Sequence, residues 1–105
     1  MSFNTLGLSP ELKQAIESKG YNDPSEIQQQ AIPSILQGND IMAGAQTGTG
    51  KTAAFALPIL QRLQNDESKR RRVRALVLVP TRELASQVGD SFRSYGKNLR
   101  FRTST

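Results

Sequence analysis

Glycines at 48 and 50, a lysine at 51 and a threonine at 52 stand in the run Ala45-Gln46-Thr47-Gly48-Thr49-Gly50-Lys51-Thr52, and that order of residue types suits a polyphosphate. Glycine permits backbone torsions that turn successive N–H groups inward, and a helix starting at Lys51 would add the positive end of its dipole, so main chain does most of the holding. Lys51 can reach the outer phosphates, and the Thr52 hydroxyl can ligate a Mg²⁺ ion whose other positions go to phosphate oxygens and water. The general phosphate-loop pattern starts with Gly, where this chain has Ala45. A Gly-rich turn without a ligand is the plainer reading, but turn chemistry alone is a poor explanation for Gly-Lys-Thr between a strand and a helix.

A second group is Pro80-Thr81-Arg82-Glu83, at the carboxyl end of a predicted parallel strand, the edge where open α/β sheets place ligands. Thr81 can offer a hydroxyl and neighbouring N–H groups, and Arg82 a charge-assisted contact, to a nucleic-acid phosphate. A helix cap followed by a solvated arginine would use the same residues, with Glu83 orienting Arg82 or the loop. The densest charge run, Lys69 to Arg72 with Arg74, reads as a solvated connection rather than an RNA tract, because like charges in a polar link favour hydration. Arg93, Lys97, Arg100 and Arg102 allow either reading.

Punctuation along the chain defines the elements that must position these groups. Ser9 is a plausible N-cap with Pro10 at the first helical position and Gly20 as the stop, and Leu12, Ala15 and Ile16 share a face. Ser25 and Gln28 have capping-box spacing, followed by an apolar stripe of Ile27, Ala31, Ile35 and Leu36 that runs to Gly38, with Pro33 inside. Asp40 to Gly44 reads as a short strand, Lys51 to about Gln64 as a helix interrupted by Pro58, and 65–72 as an exposed connection. Ala75 to Val79 has the continuous aliphatic pattern of a strand buried on both faces. Thr81 caps a helix to about Tyr95, and Leu99 to Thr103 alternates like a further strand. Helices alternating with strands imply an α/β domain with right-handed crossovers.

Composition narrows the function. The chain has 105 residues, no Cys and no His, which removes disulfides and the commonest zinc and acid/base residues and suits a reducing, cytoplasmic setting. Nothing approaches the roughly 18 apolar residues of a membrane span. A net charge of +5 favours a polyanionic partner such as nucleic acid. At 36% hydrophobic, 105 residues alone are expected to fold only marginally.

With the phosphate loop in place, Gly20-Tyr21-Asn22-Asp23-Pro24-Ser25-Glu26-Ile27-Gln28 upstream and Pro80-Thr81-Arg82-Glu83-Leu84-Ala85 downstream resemble the Q motif and motif Ia of the DEAD-box RNA helicases. That family also carries Ala at the place of Ala45, and an isolated aromatic, here Phe3, precedes its Q motif. Met1-Ser2-Phe3 with Leu6-Gly7-Leu8-Ser9-Pro10 looks like the bacterial RhlE-type branch. The resemblance spans essentially the whole chain.

It implies a P-loop NTPase fold, the N-terminal part of a first RecA-like domain with a parallel sheet flanked by helices. Residues 1–31 would be the Q-motif region and 32–105 the start of the ATP-binding core. It implies binding of ATP and Mg²⁺ by Phe3, Tyr21, Gln28 and the loop from Ala45 to Thr52, with Lys51 and Thr52 the catalytic groups and Thr52 the metal ligand. It implies RNA contact by Pro80, Thr81, Arg82 and Glu83. Gln28 would pair its amide with adenine N6 and N7, with Tyr21 against the ring and Phe3 packed behind. Gln28 could equally be only a cap, and Tyr21 an ordinary core aromatic. No Asp-Glu-Ala-Asp, no Ser-Ala-Thr and no second domain with an arginine finger occur in the sequence, so it looks like a fragment, expected to be inactive alone. The rival readings are another P-loop NTPase, and a non-catalytic nucleotide- or RNA-binding module.

Overall fold

The computed structural model describes residues 3–21, 23–41, 51–65 and 74–104. A 3-10 turn at Phe3–Thr5 leads to four helices: α1 (Pro10–Ser18), α2 (Glu26–Leu36), α3 (Lys51–Asn65) and α4 (Arg82–Tyr95). Three of them start at the hydroxyls expected from sequence. Ser9 Oγ accepts from the Leu12 amide at 3.4 Å, Ser25 Oγ from Gln28 at 3.4 Å, and Thr81 Oγ1 from Leu84 at 3.1 Å. Each hydroxyl satisfies a donor that the helix leaves without a partner. Pro33 and Pro58 lie inside α2 and α3, which run through them.

Helices α1 and α2 end in the same motif. Gly20 donates to Glu17 O (2.9 Å) and Tyr21 to Ile16 O (3.3 Å); Gly38 donates to Ile35 O (2.9 Å) and Asn39 to Ser34 O (3.1 Å). This paired arrangement requires a left-handed residue, and Gly20 (φ 77°) and Gly38 (φ 87°) supply it without a Cβ penalty.

Helix α3 is central, with α2 and α4 packed on it and α1 packed on α4. Its Ala53, Ala54, Ala56, Leu57 and Leu60 are buried, the small side chains letting neighbours come close. Leu12 and Ile16 of α1, Ile32 of α2 and Val88, Phe92 and Tyr95 of α4 complete the core with Phe3, Leu6 and Leu8. Phe55 and Phe92 meet at a tilted 6.1 Å, a favourable aromatic geometry. Buried Gln61 ties α3 to the start of α1. Its Oε1 accepts from the Ser9 amide (2.6 Å) and its Nε2 donates to Asn65 Oδ1 (2.9 Å).

The strands expected at Ala75 to Val79 and Leu99 to Thr103 are not formed, and among the described residues there is no sheet. Of the strand expected at Asp40 to Gly44, residues 40 and 41 are irregular and 42–44 lie outside the described residues. A strand exists through ladder hydrogen bonds to a neighbour, and no described segment supplies one here. The alternation of side chains nonetheless persists. Val77 and Val79 pack on the core, as do Leu99 and Phe101, while Leu76 is 77% and Leu78 83% exposed. Burial on both faces of 75–79 is thus corrected to burial on one.

Candidate functional site

Lys51 and Thr52 open α3, the lysine exposed and the threonine half-exposed, with Ala53 and Ala54 buried directly behind them. The helix is held by its inner face, and its first turn, whose amides have no intrahelical acceptors, carries these two groups outward. Ala45, Gln46, Thr47, Gly48, Thr49 and Gly50 lie outside the described residues.

Gln28 is buried, at 5% exposure, in the first turn of α2. Both halves of the capping box are present: Gln28 Oε1 accepts from the Ser25 amide at 2.9 Å while the Gln28 amide donates to Ser25 Oγ. An amide oxygen has two lone pairs, and the Ser25 amide takes one of them. The next residue, Gln29, donates from Nε2 to Pro24 O at 3.0 Å and so ties Pro24 to the first turn of α2. Sequence reasoning passed over Gln29, and no spacing rule marks it.

Phe3 is buried in the common core at 6% exposure, so it acts through packing. Tyr21 is 45% exposed and is not a core aromatic. The helix-ending turn at Gly20 places it at the surface, near Tyr95 of α4. Burial, followed by the neighbouring Tyr21 phenol, pushes the Tyr95 phenol above the usual tyrosine range, so it stays protonated through the physiological range.

Pro80, Thr81, Arg82 and Glu83 are all exposed at the start of α4. The Thr81 hydroxyl is the N-cap. Glu83 sits in the first turn, where its charge suits the helix dipole, and forms no ion pair with Arg82 among the described residues. Two of the ambiguous cations are structural: Arg93 bonds Asp90 (3.0 Å) and Thr103 O (3.2 Å), and Lys97 Nζ donates to Ser18 Oγ (2.7 Å). Arg74 lies over the Phe101 ring, 5.1 Å from its centroid; Lys69 to Arg72 lie outside the described residues. Glu11 is held below the usual carboxylate range, first by the Gln64 side chain, which donates to it at 3.1 Å. Among the described residues no acidic cluster could hold a metal, and no helix is long and apolar enough to cross a membrane.

Residues 25–105 match the DEAD/DEAH box helicase family. The chain is 50% identical over 102 residues to the DEAD-box ATP-dependent RNA helicase RhpA of Helicobacter pylori, covering 97% of this chain and 20% of that protein. Among solved structures it is similar to the RNA helicase Prp28 from Chaetomium thermophilum bound to ADP, with a TM-score of 0.85 and 39% identity over 94% of this chain and 24% of that one. It is also similar to S. cerevisiae Dbp5 bound to RNA and ADP BeF3, with a TM-score of 0.82 and 38% identity over 92% of this chain and 25% of that one. The chain therefore spans about a fifth to a quarter of the length of these relatives.

Proposed function

The chain belongs to the DEAD/DEAH box helicase family, and from that premise we propose that it forms the N-terminal part of the first RecA-like domain of an ATP-dependent RNA helicase of the RhlE-type branch. Residues 1–31 are its Q-motif region and 32–105 begin its ATP-binding core. In the longer protein, ATP and RNA close two such domains, and the closed state strains a short duplex. The segments at 40–44, 75–79 and 99–103 become strands of a parallel sheet once neighbouring strands provide their ladder partners. That completed sheet would cover the open Leu76 and Leu78 face.

The observation that carries this reading is the start of α3, where Lys51 and Thr52 project from the first turn of a helix anchored by its buried face. Lys51 neutralises charge on the outer phosphates, and the Ala45 to Gly50 segment contributes backbone N–H groups. The Thr52 hydroxyl fits as one hard oxygen ligand to Mg²⁺, which would supply positive charge against the phosphates there. Gln28 reads adenine by its amide, Tyr21 stacks on the base, and Phe3 supports both from the core. Pro80, Thr81, Arg82 and Glu83 form the RNA-facing edge. Such a protein would work in the cytoplasm.

Lys51→Ala in the longer helicase tests the assignment. Steady-state phosphate release should fall to background while circular dichroism and the melting temperature stay close to wild type, because Lys51 is exposed and supports no packing. Unchanged turnover overturns the reading.

A further inference from the structure

Helix α1 lacks the polar residue that would close its own capping box. Its third position holds Leu12, fully buried and without an acceptor, so the Ser9 amide finds its partner outside the helix. Gln61 of α3 supplies it: Oε1 accepts from the Ser9 amide at 2.6 Å, the role that Gln28 plays for Ser25 at α2. Gln61 is 7% exposed, and its Nε2 donates to Asn65 Oδ1 at 2.9 Å, which keeps the amide oxygen turned to α1. Two more bonds fasten the same turn. Gln64 Nε2 donates to a Glu11 carboxylate oxygen at 3.1 Å, and Asn98 Nδ2, beyond the end of α4, donates to Glu11 O at 3.2 Å. At its far end α1 turns through Gly20 into Tyr21, whose amide donates to Ile16 O. One helix, α3, thus carries Lys51 at its start and, near its end, the acceptor that completes the start of α1.

We propose that Gln61 is a positioning residue for nucleotide recognition: by completing the α1 cap from α3, it fixes α1, and with it Tyr21, relative to the helix that bears Lys51. This rests on the adenine role proposed for Tyr21. Leu12 and Ile16 hold α1 on the core, but apolar burial is non-directional, and a helix can slide or roll on such a face. A hydrogen bond has a narrow range of distance and angle, so the bond from Ser9 selects one placement. An α-helix keeps a fixed rise of about 1.5 Å per residue, so a start that is fixed also fixes the turn that leaves its end. Base and phosphates are then received at one spacing, and that order exists before ATP arrives. The effect falls on the base alone, since the phosphates are held from the start of α3.

The test compares Gln61→Leu, Gln64→Ala and Tyr21→Ala in the longer helicase, titrated with ATP and with inorganic tripolyphosphate, and follows hydrogen exchange at the start of α1. Gln61→Leu should speed that exchange and weaken ATP binding about two- to tenfold, the range of one hydrogen bond. Tripolyphosphate affinity should not change. Because coupling is reciprocal, ATP should slow the same exchange in the wild type, and tripolyphosphate should not. Gln64→Ala removes the partly buried tie to Glu11 and should act in the same direction by about twofold, so the test stands even if Gln61→Leu impairs folding. Wild-type ATP affinity in both variants, with a loss in Tyr21→Ala, overturns the positioning role and leaves the adenine reading intact. Equal losses for ATP and tripolyphosphate overturn it too, since they show general loosening. Wild-type ATP affinity in Tyr21→Ala overturns the adenine reading itself.

Discussion

Helices α2 and α4 begin with the same device, a hydroxyl accepting from the amide three residues on, yet they leave different chemistry for a ligand. At α2 the third residue answers the cap: Gln28 is buried and its oxygen takes the Ser25 amide. At α4 the third residue is Leu84, and Thr81, Arg82 and Glu83 face solvent without ion pairs. A ligand at α2 must share an atom already used by the fold, whereas at α4 it meets Arg82 and Glu83, which the fold hardly needs, beside the capping Thr81. Substitutions at Gln28 should therefore mix stability with binding, and one at Arg82 should separate them.

The largest effect is expected at Gln28. Gln28→Ala removes half of the capping box and the proposed adenine contact, and should weaken ATP binding by about 1–3 kcal/mol while relaxing the preference over GTP. Ser25→Ala breaks the same box from its other side, at a cost of about 1 kcal/mol in stability, without touching the amide that reads the base. Competition titrations with GTP decide between the roles. If Ser25→Ala relaxes the preference as far as Gln28→Ala does, Gln28 is only a cap.

Arg82→Ala comes next and probes the open start. With Arg82 exposed and unpaired, its loss should leave thermal stability within about 0.5 kcal/mol. RNA affinity should fall across all sequences, and the salt dependence should become shallower by about one phosphate contact. ATP affinity measured without RNA should not move. An unchanged salt slope would assign Arg82 to solvent.

These starts were legible in the sequence because caps are local: Ser9, Ser25 and Thr81 were each identified from their own few neighbours, and each accepts the expected amide. The glycine stops at 20 and 38 were legible for the same reason. The inner face of α2 was read less well. Ile27, Ile35 and Leu36 were expected to form the stripe with Ala31, but Ile32 is fully buried and Ile27, Ile35 and Leu36 only in part; packing against α3 decides which side of an apolar-rich helix turns inward. The strands were illegible for a deeper reason. Val77 and Val79 have strand-like alternation, but a ladder needs a neighbour, and a one-dimensional pattern cannot say whether one is present. Of the candidate site, residue types marked Lys51, Thr52, Gln28 and Thr81, whereas no local pattern marked Gln29, whose side chain donates to Pro24 O.

The sharpest test of the contrast between the two starts is at Thr81. Thr81→Ala removes the hydroxyl that accepts from the Leu84 amide and should cost about 0.5–2 kcal/mol of stability, while also removing a proposed phosphate donor. Thr81→Asp separates those consequences. Aspartate caps a helix as well as threonine, and its charge suits the positive end of the α4 dipole, so stability should match or slightly exceed wild type. The same carboxylate would oppose an RNA phosphate, and RNA affinity should fall below that of Thr81→Ala, most at low ionic strength where charge repulsion is least screened. Melting curves and RNA titrations at two salt concentrations should therefore rank the variants in opposite orders: Asp above Ala in stability, Ala above Asp in binding. If the two rankings agree instead, binding at this edge follows from how well α4 is formed, and Thr81 serves RNA only through its cap.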